Sequence, residues 1–277
     1  VSQNRMSGDV SQTTAMLRTI PQKEKALLEI SRQQAIKNNI LQCYYQPQID
    51  IASGKIVGAE VLLRWHDDEL GVITPSVFIP LAEGCGLIHN LGAWVLRNSL
   101  RQLKHWLDQG IASFSLAVNV SAQQFSKDQL LKELKRALAE TAVPPELLEL
   151  EVTESVLMTD EERVIATMHQ IKALGVRLAI DDFGTGYSSL SYLTRLPLDV
   201  LKIDRRFIEH IPQAKDDKQI ATAIIALAHT MNFKVLAEGV ETAEQLAFLR
   251  QQGCDFYQGY YCSKALPASE FTELIQR

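Results

Sequence analysis

The sequence has little of what zinc proteins, nucleic-acid-binding proteins and membrane proteins usually contain. Its four cysteines form no CxxC pair and its six histidines are scattered, which disfavours a metal site built from thiolates or imidazoles. The net charge of −5 at pH 7 disfavours a broad basic face for polymeric nucleic acid. The sequence also lacks an apolar run of the roughly 18 residues that a membrane span needs. A reduced, cytoplasmic compartment is expected from this cysteine usage.

The N-terminal segment differs from the rest of the chain. Residues 1–40 are polar, show no strand pattern, and are predicted to be a linker or a leading helix. The chain begins with VSQNRMSGDV, without an initiator methionine or a secretory signal, so we expect a segment of a longer protein. Whether the full-length protein is tethered to a membrane is left open. Residues 41–277 are predicted to form one folded domain.

Short strand-like runs alternate with helical stretches from about residue 40 onward. Alternation of this kind predicts an α/β protein with a mainly parallel sheet, and the number of units favours a (β/α)8 TIM-type barrel. The short ASGK turn between the first two runs predicts a hairpin, and therefore one antiparallel strand near the start. The predicted strands are 43–50, 56–65, 114–121, 147–155, 176–184, 199–207, 234–241 and 256–262.

The helices are predicted from apolar residues that recur at helical spacing. Val164, Met168 and Ile171 follow this spacing and end at Gly175, which favours a helix terminus there. Capping boxes predict helix starts at three pairs: Ser126 with Gln129, Thr159 with Glu162, and Thr242 with Gln245.

Polar side chains stand near the ends of several strands, opposite an apolar face. In FSLAVNVS, Leu116, Val118 and Val120 share one face and Asn119 lies on the other, because successive strand residues point to opposite faces. If the apolar faces pack against helices, the polar side chains point into the barrel near its carboxyl-terminal mouth. The same alternation applies to Glu60, Arg64, Glu151, Asp181, Lys202, Asp204 and Glu238.

Several carboxylates at one mouth would repel one another and resist burial unless cations accompany them. An all-oxygen set of Glu, Asn, Glu and Asp suits Mg²⁺ or Mn²⁺ better than Zn²⁺. The adjacent Asp181 and Asp182 would let one carboxylate bridge two ions, and two ions about 4 Å apart suit in-line phosphoryl displacement by water. A single acidic residue at a strand end is more often a helix cap or a salt-bridge partner. The coincidence on six strands favours a shared metal or catalytic site.

The same residues lie in eight motifs that occur in order along residues 43–277. On these motifs the chain resembles the EAL-domain phosphodiesterases, bacterial enzymes that linearise cyclic di-GMP. The name-giving motif reads Glu-Val-Leu here, and Val61 faces away from the site by alternation, so activity is expected to survive this departure. The motifs are YQP (45–47), AEVLLRW (59–65), NVS (119–121), EVTES (151–155), DDFGTGYSSL (181–190), LKID (201–204), AEGVE (237–241) and QGYYCSKALP (258–267).

The resemblance implies a role for each matching position. It implies hydrolysis of cyclic di-GMP to pGpG with two Mg²⁺ or Mn²⁺ ions, and inhibition by Ca²⁺. Lys202 is implied to contact the attacking water, Glu241 to hold a metal-bound water, and Arg64 to bind a substrate phosphate. The implied metal ligands are Glu60, Asn119, Glu151 and Asp181 for one ion, and Asp181, Asp182 and Glu238 for the other. The implied contacts along the dinucleotide are Gln46, Leu62, Asp204 and Gln258.

The loop after the DDF strand is implied to couple the metal site to a dimer interface, with Glu154 holding the loop. The loop residues are Phe183, Gly184, Thr185 and Gly186. A homodimer and an upstream sensor or GGDEF cyclase domain are therefore expected partners. Two other readings stay open: a module that binds cyclic di-GMP without cleaving it, and a metal-dependent barrel enzyme of the lyase or enolase kind.

Overall fold

A computed structural model describes residues 41–67, 71–111, 114–125, 129–154, 156, 160–184 and 193–276. The predicted linker at residues 1–40 and the helix start at Ser126 lie outside this part of the chain.

The described residues form ten strands and eight α-helices, with 3₁₀ turns at Pro145–Leu147 and Arg205–Phe207. The strands are β1 (Leu41–Asp50), β2 (Ile56–Asp67), β3 (Gly71–Ile73), β4 (Ser115–Val120), β5 (Leu148–Thr153), β6 (Arg177–Phe183), β7 (Val200–Ile203), β8 (Lys234–Ala237), β9 (Phe256–Gln258) and β10 (Leu266–Pro267). The helices are α1 (Pro75–Gly84), α2 (Ile88–Asp108), α3 (Ala122–Phe125), α4 (Gln129–Thr141), α5 (Glu161–Ala173), α6 (Lys215–Thr230), α7 (Ala243–Gln251) and α8 (Ala268–Ile275). Among the helices described, none combines the length and apolarity that crossing a bilayer requires.

Eight of the strands close a barrel. Hydrogen-bonded neighbours run in the order β1-β9-β8-β7-β6-β5-β4-β2, and a pairing of β1 with β2 completes the ring. The pairs from β2 through β4 to β9 are parallel, whereas β1 pairs antiparallel with β9. The predicted (β/α)8 barrel with one antiparallel strand is confirmed. Sequence reasoning missed the short strands β3 and β10, which pair antiparallel with β2 and β1.

The predicted hairpin between β1 and β2 is present. The backbone N–H of Gly54 donates to the carbonyl of Asp50 at 2.8 Å, and that of Asp50 donates to the carbonyl of Lys55 at 3.0 Å. Gly54 has φ = 71°, in the left-handed region that glycine adopts without strain.

Of the three predicted helix starts, only the pair Thr242 with Gln245 lies wholly in the described residues, since Thr159, like Ser126, lies outside them. At α7, Thr242 and Gln245 form the predicted capping box. At α5, the cap is Asp160, whose side chain accepts a hydrogen bond from the backbone of Arg163, so the cap lies one residue beyond the predicted Thr159. The same helix ends at Ala173, and Gly175 follows with φ = 90°, as its sequence pattern predicts.

The chain divides into two compact units. Of the described residues, the larger unit comprises those within Cys43–Leu62 and Gly92–Arg277, and the smaller comprises Leu41, Gln42 and those within Leu63–Leu91. Within the larger unit, Leu116, Leu150, Ile180 and Leu201 are fully buried, as expected for the apolar faces of the barrel strands. On the opposite face of these strands, Ala179, Val200, Leu236 and Phe256 form an apolar layer. The predicted alternation of side chains between the two faces of these strands is therefore confirmed. The apolar layer packs beneath the polar groups that lie further along the same strands.

Candidate metal centre

Six neighbouring strands deliver polar side chains to one place in the larger unit, five of them from the carboxyl-terminal part of the strand or directly after it and Glu60 from the first half of β2. Five of the six lie two residues beyond a small or apolar residue of the same strand face, as Asp181 follows Ala179 and Lys202 follows Val200, whereas Glu151 follows the buried Glu149. Parallel pairing keeps these ends at the same edge, with Asn119 opposite Glu151 in the register of β4 and β5. The residues are Glu60 on β2, Asn119 on β4, Glu151 on β5, Asp181 on β6, Lys202 on β7 and Glu238 directly after β8.

Lys202 is the centre of this group. Its side chain has no solvent exposure, and its Nζ lies 2.7 Å from Glu151 Oε2 and 2.7 Å from Glu238 Oε1. The same Nζ lies 3.1 Å from Asp181 Oδ1 and 3.9 Å from Glu60 Oε2. One ammonium therefore stands among four carboxylates, which outnumber it. The cluster carries an excess of buried negative charge when all its carboxyls are ionised.

The protonation of the cluster follows from burial and from this imbalance. Burial by itself would lower the pKa of Lys202, but the surrounding carboxylates, Asp181 first, outweigh it and hold that pKa well above its usual value. Burial raises the pKa of Glu151 well above its usual value, although Lys202 opposes the shift. Burial likewise raises the pKa of Glu238 to about 8, against the opposing effect of Lys202. Lys202 is therefore a fixed ammonium, and the carboxylates need more positive charge than it provides.

A β-bulge brings two successive carboxylates to the same mouth. In a regular strand Asp181 and Asp182 would point to opposite faces. The register of β6 with β7 shifts between Ile180 and Phe183, and Asp182 has φ = 54°. Asp181, Asp182 and Glu238 consequently each place one oxygen within 4.8 Å of the others. A bulge that re-aims a side chain next to a site is a recurrent device in sheets.

A chain of amides holds Glu60 on the other side of the cluster. Asn119 Nδ2 donates to Glu60 Oε1 at 2.7 Å, and Gln258 Nε2 donates to Glu60 Oε2 at 2.5 Å. Gln258 Nε2 also lies 3.3 Å from Gln46 Oε1, and Gln46 Nε2 donates to the carbonyl of Ser263 at 3.2 Å. The predicted substrate residues Gln46 and Gln258 therefore adjoin the predicted ligand Glu60. Their predicted contact with a dinucleotide stays a prediction.

Asp204, at the end of β7, connects the cluster to an arginine that sequence reasoning missed. Its Oδ1 accepts from the backbone N–H of Arg206 at 2.7 Å and from Nε of the same residue at 3.2 Å. Burial would raise the pKa of Asp204, but these hydrogen bonds outweigh burial and lower it. Burial, the charge of Asp181 and a hydrogen bond with Asp204 raise the pKa of Asp182 to about 6. Asp182 thus takes a proton more readily than Asp204, to which it is hydrogen-bonded.

The remaining predicted residues lie in different surroundings. Arg64 belongs to the smaller unit, where its Nη1 donates to the carbonyl of Leu63 at 2.9 Å, and its predicted phosphate contact stays a prediction. Leu62 is half-buried, and Glu154 and Phe183 are buried, with 6% of each residue exposed. Gly184 has φ = 94°. Thr185 and Gly186 lie outside the described residues.

The donor set fits divalent cations. Every candidate ligand offers oxygen, which suits Mg²⁺ and Mn²⁺ and not the thiolate and imidazole sites typical of zinc. Within the described part of the chain, Oε1 of the buried Glu151 has no hydrogen-bond partner, although Lys202 binds the other oxygen of that carboxylate. An unsatisfied buried carboxylate oxygen is costly unless a cation or water meets it. The cluster is therefore suited to hold metal ions through the oxygens that Lys202 does not bind.

Comparison with known proteins agrees with this geometry. Residues 30–265 match the EAL domain family. The chain is 45% identical over 249 residues to the bifunctional diguanylate cyclase/cyclic di-GMP phosphodiesterase MucR of Pseudomonas aeruginosa, which covers 90% of this chain and 36% of the relative. It is 38% identical over 250 residues to the cyclic di-GMP phosphodiesterase PdeR of Escherichia coli, which covers 90% of this chain and 38% of the relative. The chain thus spans little more than a third of the length of these relatives.

Solved structures are similar over nearly the whole chain. The PaMucR phosphodiesterase in complex with c-di-GMP has a TM-score of 0.84 and 45% identity, with 89% of this chain and 99% of that chain covered. The EAL enzyme Bd1971, in a form bound to cAMP and cyclic di-GMP, has a TM-score of 0.87 and 32% identity, with 96% of this chain and 71% of that chain covered.

Proposed function

Because this chain belongs to the EAL domain family, we propose that it hydrolyses cyclic di-GMP to linear pGpG with the help of divalent metal ions. The observation that carries the proposal is the convergence of four carboxylates on the buried Lys202. Two similar relatives are named cyclic di-GMP phosphodiesterases, and a similar solved structure is a c-di-GMP complex. The identity of the substrate is inferred from these relatives, and the carboxylate cluster supports metal-assisted hydrolysis as the reaction.

We assign the metal ligands as the resemblance implies them. Two Mg²⁺ or Mn²⁺ ions at these positions would make a water molecule a stronger nucleophile and neutralise charge on the phosphate. Ca²⁺ is larger and accepts looser coordination, so it should occupy the site and inhibit. The ligands are Glu60, Asn119, Glu151 and Asp181 for one ion and Asp181, Asp182 and Glu238 for the other.

Lys202 acts as a hydrogen-bond donor in this scheme. In the metal-free cluster the carboxylates around it hold its pKa well above the usual value, which supports a protonated lysine that donates a hydrogen bond to the attacking water. An ammonium in this place orients the attacking water and stabilises negative charge that develops on the phosphate. The proton of the attacking water therefore goes to a carboxylate or to solvent.

The reaction balances without a further co-reactant. The water oxygen forms a bond to phosphorus, the P–O3′ bond breaks, and the released 3′ oxygen takes a proton, which leaves a 5′-phosphate on the linear product. Arg64 would bind a phosphate through its guanidinium fork. Gln46, Leu62, Asp204 and Gln258 would contact the rest of the dinucleotide; of these, Gln258 is hydrogen-bonded to Glu60, and Gln46 is hydrogen-bonded to Gln258.

The first experiment is incubation of residues 1–277 with cyclic di-GMP and Mn²⁺, with EDTA as the control and products separated by chromatography. Metal-dependent pGpG is expected. Saturable binding of cyclic di-GMP without product in metal-replete buffer would replace the proposal with a receptor function. Absence of both binding and product would favour a barrel enzyme of another kind.

Substitution of a ligand tests the assignment directly. Glu60→Ala is expected to abolish turnover, because Glu60 is buried at the cluster and bound by two amides. Glu140→Ala is the matched control, since Glu140 is a glutamate on the surface of α4 that pairs only with Arg136 among the ion pairs described. Near-normal rates in Glu60→Ala, with the control also normal, would contradict the metal assignment.

We propose further that the full-length protein is a cytoplasmic bacterial signalling protein that acts as a homodimer, with a sensor or cyclase domain upstream. The four free thiols are consistent with a reducing compartment. The length of the relatives supports additional domains. Sedimentation of the domain with and without cyclic di-GMP would test the dimer, and a monomer under both conditions would exclude it.

A further inference from the structure

Glu241 lies in the segment after β8 and pairs with an arginine to which no role has been assigned. Arg205 begins the 3₁₀ turn after β7, and its Nη2 lies 3.1 Å from Glu241 Oε1. Its Nε lies 3.5 Å from Glu209 Oε2. One guanidinium thus bridges two carboxylates through two different nitrogen atoms. A lysine has one nitrogen at its tip and cannot reproduce this geometry.

The arginine reaches Glu241 across a glycine. Gly239 has φ = 68°, and a Cβ atom there would lie 2.4 Å from Cγ and 2.8 Å from Cβ of Arg205. The aliphatic part of Arg205 therefore lies directly on the backbone of the turn that joins Glu238 to Glu241. Both the backbone conformation and the contact require glycine at this position.

A buried glutamine fixes the backbone of the same turn. Gln245 Oε1 accepts from the backbone N–H of Glu241 at 2.7 Å and of Thr242 at 3.0 Å. Its Nε2 donates to the carbonyls of Ile208 at 3.1 Å and Glu209 at 3.3 Å. The segments after β7 and β8 are therefore tied together by their backbones. The remaining freedom at Glu241 is that of its side chain, which Arg205 holds by one oxygen.

We propose that Arg205 is a positioning residue that holds the Glu241 carboxylate in its working orientation. The inference rests on the proposed function together with the role that the family resemblance implies for Glu241, which is to hold a metal-bound water. The side chains are 52% and 40% exposed, and an ion pair this exposed contributes little to stability. We therefore expect the ion pair to matter for the orientation of the Glu241 carboxylate and not for the stability of the fold. Substitution of Arg205 should leave the fold intact and change the rate.

The test compares Arg205→Gln with Arg205→Lys and with a matched control. Arg136→Gln is the control, because Arg136 and Glu140 form an ion pair with similar exposures of 62% and 38% on the surface of α4. For Arg205→Gln we expect kcat for cyclic di-GMP to fall about tenfold, since small displacements of a catalytic group reduce rates by up to about 100-fold. KM and the melting temperature should stay close to those of the wild type. Arg205→Lys should recover part of the loss, and Arg136→Gln should show none.

A double-substitution cycle separates positioning from a general structural effect. If Arg205 acts through Glu241, the protein with both Arg205→Gln and Glu241→Gln should be no slower than Glu241→Gln alone. Losses that multiply would overturn the inference. So would a kcat of Arg205→Gln within about twofold of the wild type, since that change falls well short of the effect expected from misplacement.

A structural readout decides the inference even if the wild type has no activity. In a crystal structure of Arg205→Gln, the Glu241 carboxylate should leave the position that it keeps in Arg136→Gln. An inactive wild type would contradict the proposed function alone. A Glu241 carboxylate that stays in place in Arg205→Gln would contradict the positioning role, whatever the activity.

Discussion

Replacement of Lys202 by methionine tests the electrostatics of the candidate centre. Methionine is unbranched and only one heavy atom shorter than lysine, and it removes the charge from a position with no solvent exposure. Two carboxylate oxygens at 2.7 Å and one at 3.1 Å would lose their counter-ion. Removal of one partner from a buried ion pair costs about 3–5 kcal/mol, because the other charge stays buried and unpaired. At about 2–4 °C per kcal/mol for a domain of this size, the melting temperature should fall by about 6–20 °C.

The assay is thermal unfolding in EDTA, at pH 8.5 and at pH 6, for Lys202→Met and for a matched control. Lys172→Met is the control, because Lys172 binds Asp199 at 2.7 Å on the surface of the barrel with 30% exposure. Breaking a pair of this kind should cost about 1 kcal/mol or less. The loss in Lys202→Met should be smaller at pH 6, since burial raises the pKa of Glu238 to about 8 and a protonated Glu238 needs no counter-ion.

Added Mn²⁺ should reduce the difference in melting temperature between Lys202→Met and the wild type. It should leave the difference between Lys172→Met and the wild type unchanged. The cation would supply positive charge at the same carboxylates and stabilise the folded state in proportion to its binding. Equal losses in the two variants would refute the electrostatic account of the cluster. A Lys202→Met protein more stable than the wild type in EDTA would refute it as well.

Three further predictions concern the remaining titratable and strained positions. Without metal, the melting temperature of the wild type should fall as pH rises between about 4.5 and 8, because the folded state keeps a proton on Glu238 that the unfolded state releases. Mn²⁺ should remove this pH dependence in a fluorimetric melt, and a melting temperature that does not change with pH in the absence of metal would contradict the prediction. Asp182→Asn should reduce turnover at least about 100-fold. The free energy of unfolding should stay within about 1 kcal/mol of the wild-type value, since asparagine tolerates the left-handed φ of 54°. A large loss of stability on denaturant titration would contradict this. In a thiol-labelling experiment, the exposed Cys85 should react in the native protein, whereas Cys254, whose pKa burial raises to about 12, should react only after unfolding.

Strand alternation alone predicted most of the candidate centre. Glu151, Asp181 and Lys202 each lie on a strand whose other face is fully buried and apolar, and that alternation can be read along one strand at a time. Parallel pairing then brings the strand ends together without further information from the sequence. The approximate fold and the cluster were therefore predictable from periodicity.

The features that were missed depend on register between strands or on turns without a period. The bulge at Asp182 arises where β6 and β7 pair out of step, and neither strand's own spacing encodes this. Arg205 and Arg206 are neighbours in a 3₁₀ turn, yet one binds Glu241 and the other binds Asp204. The strands β3 and β10 have three and two residues, too few for alternation to be recognised.

The arrangement around Lys202 accounts for how an acidic cluster of this charge can fold without a bound cation. Lys202 takes one oxygen each of Glu151, Glu238 and Asp181, so these carboxylates are held apart and oriented before any cation arrives. A carboxylate has two oxygens, and the second oxygen of Glu151 has no hydrogen-bond partner in the described structure. A cation that binds the second oxygens need not displace the lysine. Lys202 can therefore orient these carboxylates in the free protein and, under the proposed function, remain in place when cations bind. Its removal is expected to impair stability and turnover together.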